Sequence, residues 1–261
     1  MKIHPTAIVS NRAVIAPDTE IGAYTVVEGE VSIGPGTVID SHVRIGSRTG
    51  EVVIGKNNYV QSGASLGGPP QDLGFSGATT RLEIGDGNRI GEYATLNLGS
   101  EKGEGVTRLG DRGFIMAYAH VGHDCRIGDD VVITNLAQLA GHVSIGDRAI
   151  LSGMVAITQF TRVGRHAFVA AGAHVNKDVL PYSIAEGQWA RPRATNKIGL
   201  KRAGYDDATV REIDKAIRIL ISRSATLDVA ADRVRDECES NEHTEHLLDF
   251  VGTSRHGVAR A

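Results

Sequence analysis

Residue types suited to acid–base chemistry lie close together in the segment AYAHVGHDC, which contains His120, His123 and Asp124. A histidine with an ordinary pKa of about 6.5 can act as a general base at neutral pH, and a nearby carboxylate can orient it. The segment LAGHVS adds His142 directly after Gly141, whose backbone N–H a developing oxyanion could approach without meeting a side chain. A base, an orienting carboxylate and an oxyanion donor are what acyl transfer to a hydroxyl needs.

The segments that carry these residues belong to a sequence repeat with a period of six, from Leu109 to Leu180. Its blocks open on branched aliphatic residues: Leu109, Ile115, Val121, Ile127, Ile133, Leu139, Ile145, Leu151, Ile157, Val163, Val169 and Val175. A short fixed period predicts a solenoid rather than a helix or an ordinary half-buried strand. The hexapeptide form is a parallel β-helix with three strands per coil, so one coil takes about 18 residues and covers the apolar face of the next.

The 18-residue coil predicts which polar residues lie above one another. Asp124 stacks on His142, and His123 stacks on Gly141 and then on Gln159. We expect one vertical patch over three coils, made of His123, Asp124, Gly141, His142, Thr158 and Gln159. No Ser or Cys nucleophile is evident there, which favours direct transfer over a covalent acyl-enzyme. The alternative is that these residues are ordinary solvated corners.

One slip of register and two loop segments interrupt the repeat in the first half of the chain. The register slips by three residues around Arg48–Val53, and the segments at 67–81 and 99–108 lack aliphatic spacing. Both segments are rich in glycine, and the first opens on Gly-Gly-Pro-Pro, which predicts loops. Loops inserted in a solenoid often lie on its binding face, although a plain surface excursion remains the alternative.

A change of pattern after Val179 predicts a second domain. Pro181 and Pro192 flank an irregular segment, and the period becomes helical from about Asn196, with Asp206 as a capping residue. We expect further helices at 227–238 and around 242–251, which would cap the open end of the β-helix. The predicted domains are 1–190, the β-helix, and 191–261, the helices.

Composition limits the function and the location. The net charge of -3 gives no reason to expect nucleic-acid binding. No apolar run is long enough to span a membrane, and the repeat begins at Ile3, so we expect neither stable membrane insertion nor a signal peptide. The two cysteines, Cys125 and Cys238, lie far apart and define no disulfide framework. A cytoplasmic protein fits these features.

The segments GGPPQDLGFSG, AHVGHDC, LAGHVSIGD and GLKRAGY resemble the UDP-N-acetylglucosamine O-acyltransferase family, which starts lipid A biosynthesis. The resemblance covers nearly the whole chain. It implies a left-handed parallel β-helix that forms a homotrimer. It also implies transfer of a 3-hydroxyacyl chain from acyl carrier protein to the 3-hydroxyl of UDP-N-acetylglucosamine. The donor would be the phosphopantetheine thioester of the carrier, with no separate cofactor or metal.

The resemblance also implies roles for single residues. His123 matches the general base, Asp124 the residue that orients it, and Gly141 the backbone oxyanion donor. Other positions match residues that contact the sugar nucleotide, the phosphopantetheine or the carrier: Gln71, Asp72, His120, His142, Gln159, Asn196 and Arg202. Gln71 and Asp72 belong to a loop expected to reach the sugar from a neighbouring subunit. Ala171 falls where acyl-chain length is set, and its small size implies a medium or long chain.

Four departures from the family pattern each remove a basic or potentially basic group. Thr158 replaces a histidine, Asn97 and Leu98 stand in TLNLGS where TIHRGT is usual, Gly74 replaces a lysine and Ala203 an arginine. The base and the oxyanion donor remain, so the acceptor is what the departures place in question. The same machinery would N-acylate a sugar nucleotide that carries a 3-amino group.

Two other classes of protein compete with this interpretation. Trimeric zinc enzymes of the γ-carbonic anhydrase type use three histidines, and His120, His123 and His142 could be tried as ligands. Their spacing does not match that pattern, and the QDL loop and helical tail would go unexplained. A non-catalytic scaffold is the other class, and it would tolerate loss of His123.

Overall fold

The computed structural model describes residues 2–261, which form a left-handed parallel β-helix followed by four α-helices, as predicted. The β-helix has three flat faces. Face 1 consists of Lys2–Ile3, Glu20–Ile21, Val38–Ile39, Tyr59–Val60, Arg89–Ile90, Phe114–Ile115, Val132–Ile133, Ile150–Leu151 and Phe168–Val169. Face 2 consists of Ile8–Val9, Ser65–Gly68, Thr95–Asn97, His120–Val121, Gln138–Leu139, Ala156–Ile157 and His174–Val175. Face 3 consists of Val14–Ile15, Arg81–Ile84, Val106–Leu109, Arg126–Ile127, Ser144–Ile145 and Arg162–Val163.

Two long strands, Val26–Ile33 and Arg44–Ile54, run through the corner between faces 2 and 3. The predicted slip of three residues lies inside the second strand, which bends there without leaving the sheet. Loops lie within both predicted segments, with shorter bounds than predicted. Gly67, Gly68 and Arg81 belong to strands, as do the residues from Val106 onwards.

The sequence spacing between paired residues of neighbouring coils increases at each interruption. After Leu109, neighbouring coils pair residues 18 apart. Before it, Val38 pairs with Tyr59 at a spacing of 21, Tyr59 with Arg89 at 30, and Arg89 with Phe114 at 25. The extra residues lie in the slip and in the two loops, so the coils themselves stay in step.

The core is a stack of the aliphatic residues that open each block. Val121, Leu139, Ile133 and Leu151 are fully buried, and so are small residues at the fifth place, such as Ala137. Each coil removes the apolar face of its neighbour from water, which is the main stabilisation of such a fold.

The end of the β-helix differs from the sequence expectation. The segment between Pro181 and Pro192, predicted to be irregular, starts an antiparallel hairpin of Ser183–Glu186 and Arg191–Thr195 that extends face 1. The predicted domain division after residue 190 falls inside this hairpin, and the first helix starts at Lys197.

Four helices complete the chain: α1 (Lys197–Arg202), α2 (Asp207–Ile221), α3 (Leu227–Glu237) and α4 (Glu242–Gly252). Asp206 caps α2 as predicted, because its side chain accepts from the N–H groups of Ala208 and Thr209. The helices share a second apolar core with Leu180 and Tyr182 of the β-helix end, so they cover the last coil. Within residues 2–261, no helix is long and apolar enough to cross a membrane.

Candidate active site

His123 and Asp124 lie at the corner that joins face 2 to face 3. His123 Nδ1 is 2.8 Å from Asp124 Oδ2, and both side chains are largely shielded from solvent. Consecutive side chains on a flat strand point to opposite sides, but Asp124 has a φ of 59°, which turns the chain so that the two meet. A carboxylate only accepts hydrogen bonds, so Nδ1 carries the proton and Nε2 keeps a free lone pair.

Gly141 lies one coil further along, directly against the imidazole. A Cβ placed on Gly141 would be 2.5 Å from both Cε1 and Nε2 of His123, so only glycine fits there without displacing the ring. The Gly141 N–H donates to no group among residues 2–261. A free amide therefore lies beside the unprotonated nitrogen, which is the arrangement that a base and an oxyanion donor require.

Two side chains near this pair could have been nucleophiles, and neither is placed as one. Cys125 is buried, its thiol donates to the Ala140 carbonyl at 3.2 Å, and burial raises the pKa of the thiol to about 12. The Ser100 hydroxyl is also buried and donates to Asp124 rather than to His123. The geometry favours direct transfer.

Ser100 is the contact that the sequence reasoning missed. Its N–H lies 3.0 and 3.1 Å from the two oxygens of Asp124, and its Oγ lies 2.6 Å from Oδ2. Ser100 belongs to an interruption, where the 18-residue arithmetic does not apply. No signal in the sequence placed it.

His142 packs edge-on against His123, with ring centroids 5.1 Å apart, and its Nε2 is 3.8 Å from Asp124 Oδ2. Its other face stacks on Phe160 at 4.4 Å, and Phe160 in turn faces His256 of the C-terminal segment at 5.9 Å. Burial lowers the pKa of His142, although Asp124 opposes this, so the ring is neutral at pH 7. Adding one more coil to His142 would have identified Phe160, whereas His256 lies outside the repeat.

His120 lies on face 2, beside the corner. Its Nδ1 is 2.7 Å from Thr95 Oγ1. Burial lowers the pKa of His120, and the nearby imidazole of His123 adds to this effect. A neutral imidazole held by a hydroxyl can offer its other ring nitrogen to a substrate.

The QDL loop lies near the same site. Asp72 accepts from the Gly74 N–H at 2.8 Å and from Lys102 Nζ at 3.0 Å, and these bonds lower the pKa of its carboxyl group. Its charge acts on His142 of the same chain. Gln71 next to it is exposed.

A cavity of about 470 Å³ opens beside this corner. Asp124, His142 and Phe160 line one side of it. Arg162 and His256 line the other, so the C-terminal segment forms part of the wall.

Comparison with known proteins identifies the family of this chain. A family model described as UDP N-acetylglucosamine O-acyltransferase, domain 2, matches residues 178–259. A protein of Syntrophobacter fumaroxidans named acyl-[acyl-carrier-protein]–UDP-N-acetylglucosamine O-acyltransferase is 42% identical over 261 residues, with both chains fully covered. One of the same name from Halorhodospira halophila is 41% identical, with 99% of each chain covered. The chain belongs to the UDP-N-acetylglucosamine O-acyltransferase family.

A solved structure gives the same result for the fold. The UDP-N-acetylglucosamine acyltransferase of Francisella novicida superposes with a TM-score of 0.95 at 39% identity, covering 99% of this chain and 94% of that one. The likeness to this acyltransferase includes the helical end as well as the β-helix.

The remaining residues that the family resemblance suggested have different surroundings. Gln159 and Ala171 are exposed on later coils. Asn196 is buried, where it caps α1 and donates to the His166 carbonyl at 2.9 Å. Asn196 and Arg202 line a cavity of about 460 Å³ against face 1, across the prism from the corner that carries His123.

The departures from the acyltransferase pattern have different surroundings. Asn97 is buried and donates to the Pro69 carbonyl, and Leu98 is fully buried in the core. Thr158 is exposed and bonds Thr161 Oγ1 at 3.1 Å. Ala203 lines the face 1 cavity with Arg202. Gly74 leaves a space that Lys102 Nζ occupies, since a Cβ there would lie 2.1 Å from that nitrogen.

The zinc alternative requires three ligand atoms close to one another. Among the described residues, donor atoms of His123, Asp124 and His142 lie within 4.8 Å of one another, whereas His120 is not part of this group. The set is therefore two histidines and a carboxylate, not the three histidines of the γ-carbonic anhydrase type. The 2.8 Å contact with Asp124 already engages His123 Nδ1 in a hydrogen bond.

Proposed function

We propose that this protein transfers a 3-hydroxyacyl chain from acyl carrier protein to the 3-hydroxyl of UDP-N-acetylglucosamine, the first step of lipid A biosynthesis. Membership of the family supports the reaction. The observation that carries the mechanism is His123, whose Nδ1 is held by Asp124 while its Nε2 faces Gly141.

In the proposed reaction, His123 Nε2 removes the proton of the sugar hydroxyl as its oxygen attacks the thioester carbon. The carbonyl oxygen becomes an oxyanion that the Gly141 N–H stabilises. Collapse re-forms the carbonyl and breaks the carbon–sulfur bond. The leaving thiolate of the phosphopantetheine takes the proton from the imidazolium, which Asp124 has stabilised meanwhile. The donor arrives already activated, so the scheme uses no cofactor and no metal.

The neighbouring polar groups are suited to binding the two substrates. We assign His120, His142, Gln71, Asp72 and Gln159 to the sugar nucleotide and the phosphopantetheine. Burial keeps the two histidines neutral. Each can then donate or accept one hydrogen bond without attracting a competing anion. We place the enzyme in the cytoplasm with its carrier-protein partner.

Completion of the site requires a second copy of the chain, and we propose a homotrimer. Arg202 and Asn196 lie against face 1, too far around the prism to meet His123 of their own chain. Face 2, which carries His120, has exposed apolar residues along its edge: Tyr93, Tyr118, Leu136 and Met154. A neighbouring subunit packed there would cover this edge and bring its own Arg202 towards the base.

The same edge leads to Ala171, the position expected to set acyl-chain length. Ala171 lies three coils beyond the corner at Tyr118, about 14 Å along the axis at the usual strand spacing. We propose that the acyl chain extends along this edge and ends near Ala171. A bulky residue there would shift the preference towards shorter chains.

The experiment that tests this function is acyl transfer by the purified protein, with 3-hydroxyacyl carrier proteins of several lengths and two acceptors. We expect turnover of UDP-N-acetylglucosamine. Turnover of only its 3-amino analogue would keep the mechanism and change the acceptor. A changed acceptor would then explain the loss of basic groups at Thr158, Asn97, Leu98, Gly74 and Ala203. No transfer to either acceptor by a folded protein would contradict the proposal.

A further inference from the structure

A short turn in the second loop segment, residues 100–103, contacts the carboxylate of Asp124. Ser100 is fully buried and gives Asp124 three short contacts, from its N–H to both oxygens and from its hydroxyl to Oδ2 at 2.6 Å. Gly103 closes the other side, since a Cβ there would lie 2.3 Å from Asp124 Oδ1. The turn therefore encloses the carboxylate and leaves it little freedom to rotate.

The next two residues of the turn reach in the opposite direction, to the QDL loop. Glu101 accepts from the Ser76 N–H at 2.9 Å. Lys102 Nζ lies 3.0 Å from Asp72. The ammonium fits because residue 74 is glycine and leaves the space above it free. The consecutive side chains of residues 100–102 thus connect the His123–Asp124 pair to the QDL loop, which is assigned to the acceptor.

Asp124 has two imidazole neighbours, at different distances. Its Oδ2 is 2.8 Å from His123 Nδ1 and 3.8 Å from His142 Nε2. A carboxylate without the Ser100 hydroxyl could rotate towards His142 and leave His123 in the wrong tautomer or orientation. Loss of tautomer control at a catalytic histidine is costly even when the fold is intact.

We propose that Ser100 and Lys102 are positioning residues of the acyl transfer: Ser100 fixes the carboxylate that orients the base, and Lys102 holds Asp72 in place for the acceptor. The proposal rests on the proposed function. It assigns different kinetic consequences to two residues of one turn, because one contact acts on the base and the other on acceptor binding.

The test compares Ser100→Ala, Ser100→Thr, Lys102→Gln and Lys102→Arg with the wild type, using the acceptor that the wild type acylates. We expect Ser100→Ala to lower kcat about 10–100-fold with little change in acceptor KM, because the base is misaligned. Threonine keeps the hydroxyl and should restore most of the rate. Lys102→Gln should raise acceptor KM about fivefold, the scale of one exposed ion pair, with kcat nearly unchanged, and arginine should restore it.

A matched control is Lys56→Gln, which removes an exposed lysine that is paired with Asp86 at 3.6 Å, and it should change neither constant. A folded Ser100→Ala protein with full kcat would overturn the role of Ser100. A Lys102→Gln protein with an unchanged acceptor KM would overturn the role of Lys102. If Ser100→Ala does not fold, Gly103→Ala replaces it in the test, because the added Cβ would press on the Asp124 carboxylate. An unchanged kcat in Gly103→Ala would overturn the role proposed for Ser100. Absence of wild-type turnover would instead defeat the proposed function.

Discussion

The regular coils after Leu109 and the interrupted coils before it contribute different parts of one site. The regular coils repeat at 18 residues and bring His123, Asp124, Gly141 and His142 into one column. The interrupted coils pair at spacings of 21, 30 and 25. The extra residues of the last two form the loops that carry Asp72 and the Ser100 turn. In the proposed mechanism the base and the oxyanion donor therefore lie on rigid structure, and the loops add Asp72 and the Ser100 turn to the substrate contacts of the regular coils.

The largest difference that we expect between the two regions is in how much a leucine contributes to the free energy of unfolding. Leu139 is fully buried in a regular coil, whereas Leu73 is fully exposed at the tip of an interrupted one. Leu139→Ala should lower the free energy of unfolding by about 2–5 kcal/mol, because it leaves a cavity between coils. Leu73→Ala should change it by less than about 0.5 kcal/mol. Urea denaturation of both variants measures the difference, and equal losses would show that the loops stabilise the fold as much as the core does.

A single added methyl group should distinguish the site from the rest of the molecule. Gly141→Ala places a Cβ 2.5 Å from the ring of His123, whereas a Cβ on Gly252, at the end of α4, meets no atom within 4 Å outside its own helix backbone. Neither glycine needs a positive φ, so alanine introduces no backbone strain at either position. We expect about a 100-fold loss of kcat/KM for Gly141→Ala and nearly full activity for Gly252→Ala. An active Gly141→Ala enzyme would argue against the ring position described for His123.

The smallest predicted effect is on the pH dependence of stability. It arises where the last regular coils meet the helices. Burial lowers the pKa of His166 to about 4, helped by the charges of Arg148 and Arg165, and burial also lowers the pKa of His243 and His246. Between about 6.5 and 4, His166 is protonated in the unfolded chain but neutral in the folded one, so stability should fall as the pH drops through that window. His166→Gln should reduce the difference between urea midpoints at pH 7.5 and pH 5. An unchanged difference would assign the acid sensitivity to other groups.

The same contrast explains how much of the site could be predicted. The period of six placed His142 beside Asp124 and Gly141 beside His123, because stacking in a regular solenoid is arithmetic. It could not place Ser100, whose position depends on how an irregular loop closes. It also missed His256, which approaches from the helical end, and the hairpin at 183–195, whose strand pairing is antiparallel and lies outside the repeat. Asn196 matched a family position in sequence, but its capping of α1 depends on where that helix begins.

The most direct test of the central claim is steady-state acyl transfer by His123→Ala, with His42→Ala, an exposed corner histidine of an early coil, as the control. If the regular column supplies the general base, His123→Ala should lower kcat by about 10²–10⁴-fold while acceptor KM and the folded state stay close to those of the wild type. His42→Ala should remain fully active. A His123→Ala enzyme that keeps its kcat to within a few fold would contradict the account.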